Sequence, residues 1–150
     1  MKYNFFWQKP RILILKKDFI WDSDEKKIIY FQSKDDYLII KNNLWFFKKG
    51  FQWDGVTNFW CGPEDINNSG YPITWMATLI HDAGCKYWNE DKYFPCSRFK
   101  ADWLFFKLLR NLDNKLFRYF LSYVYYVIVT LFTSYSYINR ILQTLKKEKL

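Results

Sequence analysis

The feature that most limits how this chain can fold is a long segment without charge, residues 119–139, which is bounded by Arg118 and Arg140. The segment reaches the ~20 residues that a transmembrane helix needs. Its composition does not suit that role, because it holds six tyrosines and six Ser, Thr or Asn residues, some of them in mid-segment. Tyrosine in membrane proteins gathers at the interfaces. We therefore predict a helix that buries one face inside the fold.

One apolar stripe is available to this helix. It consists of Leu121, Tyr125, Ile128 and Phe132, which recur at intervals of four, three and four residues. We expect this stripe to pack on the two preceding helices. We expect the small polar residues Ser122, Thr130 and Thr133 to face away from it. The neighbouring tyrosines would then form a face that is exposed or covered by a partner.

The first half of the chain has the composition of short strands separated by turns. Residues 11–15, 26–31, 37–40 and 44–47 are rich in β-branched and aromatic side chains, whereas segments 22–24, 33–36 and 42–43 hold mostly Asp, Asn and Ser. This alternation predicts an antiparallel β-meander. The expected organisation is one α+β domain over 1–150, which is β-rich in 1–58, a loop in 59–72 and helical in 73–147.

Three helices are predicted in the second half. The first covers about 73–88. The second begins after Ser97, whose side chain can cap it, and ends near residue 111. The third runs from about 113 to 146 and is expected to break near 134–136, where two serines flank a tyrosine. We expect the first two to form an antiparallel pair.

Composition and charge exclude several classes of protein. Hydrophobic residues make up 50% of the chain and charged residues 25%, which excludes a disordered chain. The net charge of +8 favours anionic partners, but the basic residues are scattered and no nucleic-acid recognition motif accompanies them. The three cysteines give no disulfide framework, which predicts a reducing compartment, and the N-terminus shows no secretory signal. The expected partners are other proteins or a membrane surface, with no specific nucleic acid.

The chain has one histidine, His81, on the first predicted helix. On the second helix, Asp102 lies among three phenylalanines, so we expect it to be buried and to need a partner. His81 lies seven residues before the end of its helix and Asp102 lies five residues after Ser97. In an antiparallel pair the two residues are then at nearly the same height. We therefore predict a hydrogen bond between the His81 imidazole and the Asp102 carboxylate.

These residues are suited to hydrolytic chemistry. A histidine with one nitrogen held by a carboxylate can take a proton from water with the other, so His81 and Asp102 are candidate catalytic residues. Asp82 is a candidate ligand for a hard cation such as Ca²⁺, which prefers oxygen ligands. Asp54, in a tight turn with Gly55, is expected to complete the ligand set. In the plainer alternative, the buried aspartate only holds a core histidine in place.

A zinc site is an alternative to the calcium site. His81 and Cys85 lie four residues apart on one helix face, and Cys61 and Cys96 would complete a Cys₃His set. The spacing fits no familiar zinc motif, and free cysteines commonly serve as small buried hydrophobic residues.

The motif order gives a family resemblance. The residues that carry it are Phe51, Asp54, Gly55 and Thr57, then His81 and Asp82, then Ala101, Asp102 and Phe105. Over about residues 51–126 the chain resembles an uncharacterised phage and prophage family, domain of unknown function 1353. It departs from the family pattern at Phe59, where a proline is usual, and at Cys85, where a tyrosine is usual. The resemblance implies a phage or prophage origin and a location in the host cytoplasm or the virion.

The helix pair is also similar, more distantly, to the phospholipase A2 arrangement. The similarity implies that His81 is the base, Asp82 the Ca²⁺ ligand and Asp102 the group that orients the histidine. We therefore expect a metal-dependent hydrolase that cleaves an ester, other acyl or amide bond. The alternative is a non-enzymatic virion or assembly component that binds other phage proteins through aromatic surface. The basic tail adds an expectation of peripheral membrane association.

Overall fold

The computed structural model describes residues 12–25, 29–55, 60–68 and 70–147. It has the predicted α+β layout, with a small antiparallel β region followed by helices. The described strands are β1 Leu13–Ile14, β2 Phe19–Asp22, β3 Tyr30–Gln32, β4 Leu38–Lys41, β5 Leu44–Phe47 and β6 Gln52–Trp53. The described helices are α1 Trp75–Glu90, α2 Arg98–Arg110 and α3 Ser122–Lys147, and a π-helical segment, Phe117–Leu121, leads directly into α3.

The larger sheet contains the predicted meander. Strands β3, β4 and β5 follow one another, and β2 lies beside β5, so the strand order is β2-β5-β4-β3. The β4–β5 hairpin turns on Asn42 and Asn43, and Asn42 has a φ of 58°, a conformation that asparagine tolerates. Strand β2 is absent from the predicted set, and its last residue, Asp22, fell in a segment predicted as a turn. Residues 26–28 of the second predicted strand lie outside the described residues.

The smaller sheet packs against α1. It pairs β1 with β6, with Leu13 opposite Trp53. The Trp53 indole donates a 3.0 Å hydrogen bond to the Thr78 hydroxyl on α1, and both side chains are buried. On the same helix, the Tyr87 ring packs against Phe31 and Phe51. The residue that follows β6 is therefore placed beside the middle of α1.

The helix boundaries follow the sequence signals closely. Ser97 caps α2 as predicted, since its side chain accepts a hydrogen bond from the Lys100 amide. The predicted break at 134–136 is wrong, because α3 continues through it. The hydroxyls of Ser134 and Ser136 donate to carbonyls one turn earlier, so both are satisfied inside a continuous helix.

Helix α3 and the turn before it pack on the fold through only part of the predicted stripe. Leu121 and Tyr125 are buried as expected, but Phe132 is 62% exposed, so the prediction that it packs inside the fold is wrong. Ser122 and Thr133 are fully buried, which contradicts the prediction that they face away from the core. Between the two helices, the Tyr126 ring packs against Trp103 and Phe106 on α2.

Candidate functional site

The centre of the site is a hydrogen bond between two helices. His81 on α1 and Asp102 on α2 are joined by a 2.9 Å contact between Nε2 and Oδ1, which confirms the predicted pairing. Asp102 is fully buried, whereas the His81 side chain is 15% exposed. The Phe105 ring lies 5.0 Å from the imidazole and covers it on one side. The second carboxylate oxygen of Asp102, Oδ2, is buried without a hydrogen-bond partner among the described residues.

The other imidazole nitrogen contacts a second carboxylate. His81 Nδ1 lies 3.3 Å from Oδ1 of Asp82, the next residue along α1. Burial alone would lower the pKa of His81, but the hydrogen bonds to Asp102 and Asp82 outweigh it and hold the pKa well above the usual range of histidine. The longer of the two contacts is the one to Asp82, so Nδ1 is the less tightly held nitrogen.

Asp54 lies against Asp82, as the sequence predicts. It follows β6, and its backbone amide donates to Oδ2 of Asp82 over 3.2 Å. The Asp54 carboxyl lies close enough to that of Asp82 to affect its pKa. Burial and the neighbouring Asp54 raise the pKa of Asp82 to about 7, against the opposing effect of His81. Two neighbouring carboxyl groups of this kind offer the oxygen ligands that a hard cation prefers.

The cysteines do not assemble the predicted zinc set. Cys85 lies on α1 with Sγ 3.6 Å from His81 Nε2, close to Asp102. Cys96 is buried in the main core, where its thiol contacts the Ser97 carbonyl. Among the described residues, the group with metal-ligand spacing is His81, Cys85 and Asp102, whose ligand atoms lie within 4.8 Å of one another. Neither Cys61 nor Cys96 belongs to it: Cys96 is buried in the main core, and the Cys61 thiol lies beside Gly55.

The site opens into a cavity of about 470 Å³. Its polar part is formed by His81, Asp82 and Asp54. Its apolar part comes from α2 and α3, and includes Phe105, Tyr125, Ile128, Val129 and Phe132. The volume is in the range of small-molecule sites, which combine a mostly apolar wall with a few placed polar groups.

Arg98 is a cavity residue that sequence reasoning missed. It lies at the start of α2, and its Nη1 donates to the Ser136 hydroxyl on α3 over 2.8 Å. Its Nε is buried and has no hydrogen-bond partner in the described parts of the chain. Its place directly after the Ser97 cap was the available signal. The cavity is therefore lined by two cationic residues, Arg98 and Lys86, as well as by the carboxylates.

No family model, curated protein or solved structure matches this chain. The resemblances to the phage family and to phospholipase A2 therefore stay predictions. Thr57 and Phe59, which belong to the compared motif, lie outside the described residues.

Proposed function

We propose that this protein is a cation-dependent hydrolase that cleaves an acyl bond, with His81 as the general base. The observation that carries the proposal is the buried His81–Asp102 hydrogen bond at the wall of an apolar cavity. A base needs a fixed ring, a nitrogen within reach of water and a partner for the positive charge that it acquires. The two aspartates and the cavity supply these three requirements.

Asp102 is the group that orients the histidine. Its 2.9 Å contact with Nε2 fixes the ring, and in the neutral imidazole it selects the tautomer that has its lone pair on Nδ1. Because the pKa of His81 is raised, this neutral form predominates only above that pKa, so we expect activity to rise with pH. Nδ1 takes the proton, because Nε2 is held by Asp102 and the longer contact of Nδ1 is to Asp82, which lines the cavity. When Nδ1 is protonated, the fully buried Asp102 carboxylate stabilises the imidazolium from the opposite side.

Asp82 and Asp54 are the ligands of the cation. Both offer carboxylate oxygens, and the Asp54 amide hydrogen bond holds the two residues side by side. A hard cation such as Ca²⁺ accepts such ligands together with water, and when bound it supplies a Lewis acid for a substrate carbonyl. The chain's own contribution is to hold the two carboxylates together, through the Asp54 amide and the end of β6.

The experiment is a hydrolysis assay with nitrophenyl esters of increasing chain length, with Ca²⁺, Mg²⁺ or chelator present. We expect cation-dependent turnover that improves with acyl length, since the cavity wall is largely apolar. His81→Gln and Asp102→Asn should lower kcat by about a hundredfold or more. Asp113→Asn, at a fully exposed carboxylate, is the matched control. Turnover by His81→Gln at the wild-type rate, or no turnover of any ester by the wild type, would contradict the proposal.

A zinc-binding site is the second candidate, favoured by the position of Cys85. With Zn–N near ~2.0 Å and Zn–S near ~2.3 Å, a tetrahedral zinc places its nitrogen and sulfur ligands about 3.5 Å apart. The observed separation of His81 Nε2 and Cys85 Sγ is 3.6 Å. The unpartnered Oδ2 of Asp102 offers another ligand atom, and Asp82 would hold Nδ1 as carboxylates do behind metal-bound histidines.

Metal titrations separate the two candidates. A zinc site requires one Zn²⁺ per chain, bound in wild type and Asp54→Asn and lost in Cys85→Ser. The hydrolase site requires Ca²⁺ or Mg²⁺ binding that Asp54→Asn abolishes and Cys85→Ser leaves unchanged. Cys96→Ser is the control for thiol substitution, because Cys96 lies outside the group.

A further inference from the structure

Helix α3, together with the π-helical segment before it, presents a continuous apolar face to solvent. Its members recur at helical spacing and each is half or more exposed: Phe120, Val127, Leu131, Tyr135, Ile138 and Leu142. We call these six residues the outer face. By length and composition the helix from Phe117 to Lys147 is able to cross a membrane, and only 22% of its most apolar part is buried. Exposed apolar surface of this extent normally contacts something else.

The charges beside the outer face favour an anionic occupant. Residues 114–147 contain no Asp or Glu. Lys115 and Arg118 lie before the uncharged segment, and Arg140, Lys146 and Lys147 lie after it. A second copy on the same face would bring like charges together in either orientation. A surface of anionic lipid is complementary to both ends and to the apolar stretch between them.

Contacts with the rest of the fold favour a helix that lies along the membrane. Ser136 is held by Arg98, and the Arg140 guanidinium lies 3.8 Å from the centre of the Trp88 ring on α1. The Tyr137 ring packs on the same tryptophan. A spanning helix would carry these charged neighbours into the hydrocarbon, which is costly. With one side packed on the fold, α3 has only the outer face left for lipid.

The cavity opens beside the outer face. Phe132 lines the cavity and is itself 62% exposed, so it borders both surfaces. Ile128 and Val129 continue the apolar wall inward. We infer that the outer face docks on an anionic membrane and that the cavity takes an ester-linked lipid from it. The docking stands on α3 alone, and the lipid substrate rests on the proposed hydrolase function.

Docking is tested by co-sedimentation of the full chain with vesicles of phosphatidylcholine, alone or mixed with phosphatidylglycerol. We expect binding to the anionic vesicles that weakens with added salt. Leu131→Glu should reduce the affinity tenfold or more, whereas Ile66→Glu, at a 98% exposed isoleucine outside α3, should leave it within twofold. Exchanging Lys146 and Lys147 for Glu should also weaken binding, and the same exchange at Lys48 and Lys49 on the β-sheet side is the control.

Three results would overturn the docking. Equal binding by the wild type and Leu131→Glu would show that the outer face is not involved. Bound protein that resists alkaline carbonate would show a spanning helix instead. A dimer that Leu131→Glu separates, with no vesicle binding, would show that a second copy covers the face.

The lipid substrate has its own readout, which is fatty-acid release from the phosphatidylglycerol vesicles. His81→Gln should bind vesicles like the wild type and release none. If short soluble esters are cleaved and vesicle lipid is not, the lipid substrate is wrong and the hydrolase stands. If neither is cleaved, the hydrolase is wrong, and the sedimentation result alone decides the docking.

Discussion

Gly84 on α1 lies so close to Ala101 on α2 that a Cβ on the glycine would be 2.5 Å from the Ala101 Cβ. Gly84 is three residues from His81, and Ala101 precedes Asp102. The close approach of the two helix backbones is therefore what places the imidazole within hydrogen-bond reach of the carboxylate. Any side chain at position 84 must move the helices apart or displace Ala101.

We expect Gly84→Ala to lower the free energy of unfolding by about 1–3 kcal/mol, because overpacking outweighs the better helix propensity of alanine. Urea denaturation measures this change. The double variant with Ala101→Gly removes the opposing methyl group and should recover most of the loss. If Gly84→Ala is as stable as the wild type, the helices are not in the tight contact described.

The single histidine makes its protonation directly measurable. His81 is the only imidazole in the chain, so one set of ring signals in an NMR titration reports its pKa. We expect a pKa above the usual range, and in Asp102→Asn a lower one, because burial then acts without the main opposing carboxylate. Asp113→Asn should leave the titration unchanged. An unaltered pKa in Asp102→Asn would show that Asp102 does not hold the ring.

Asp35 predicts a pH dependence of stability. Asp35 lies in the turn between β3 and β4 and accepts hydrogen bonds from Tyr87 and Lys86 on α1, so it links the larger sheet to that helix. Burial would raise the pKa of Asp35, but Lys86, Ser33, the Tyr37 amide and Tyr87 together lower it to about 2. The unfolded carboxyl titrates near ~3.9, so the stabilisation is present above that pH and is lost as the pH falls toward 2.

Replacing Asp35 by Asn should therefore cost about 1–2 kcal/mol at neutral pH, allowing for partial exposure of the ion pair. The difference from the wild type should largely disappear near pH 2. Thermal unfolding followed over this pH range measures it. Asp36→Asn, at the exposed neighbour, is the control and should show a much smaller effect at all pH values.

The buried environment of Thr133 predicts that its replacement by valine stabilises the fold. Its side chain is fully buried, and its hydroxyl has no hydrogen-bond partner in the described ranges. Thr133→Val keeps the shape and removes the unsatisfied group, so we expect a gain of about 1 kcal/mol in chemical denaturation. Thr144→Val is the matched control, because that exposed hydroxyl donates to the Arg140 carbonyl. A loss of stability in Thr133→Val would mean that the hydroxyl is satisfied after all.

The parts of the fold that depend on interactions between nearby residues could be predicted from the sequence. The Ser97 cap, the Asn42 turn and the height match of His81 with Asp102 each depend on nearby residues or on regular helix geometry. The contact between Asp54 and Asp82 was expected from the tight Asp54-Gly55 turn, and Gly55 has a φ of 70°.

The errors concern long-range packing. Hydrophobicity favoured Phe132 for the interior, but the fold buries the neighbouring Thr133 and leaves Phe132 largely exposed. Cys96 has the right chemistry for a zinc ligand, yet it lies in the main core, away from the His81 group. Which residues approach across helices depends on backbone separation, and a single sequence does not contain that quantity.

The π-helical segment Phe117–Leu121 sets the direction in which all of α3 faces. A π turn amounts to one extra residue in an α-helix, and one residue is about 100° of rotation. Phe117 and Tyr125 are eight positions apart, which in a plain α-helix would separate them by about 80°. Their rings instead meet at 6.1 Å, because the extra residue brings them onto one side. Adding or deleting a single residue here would rotate the whole outer face about the helix axis without changing any of its side chains.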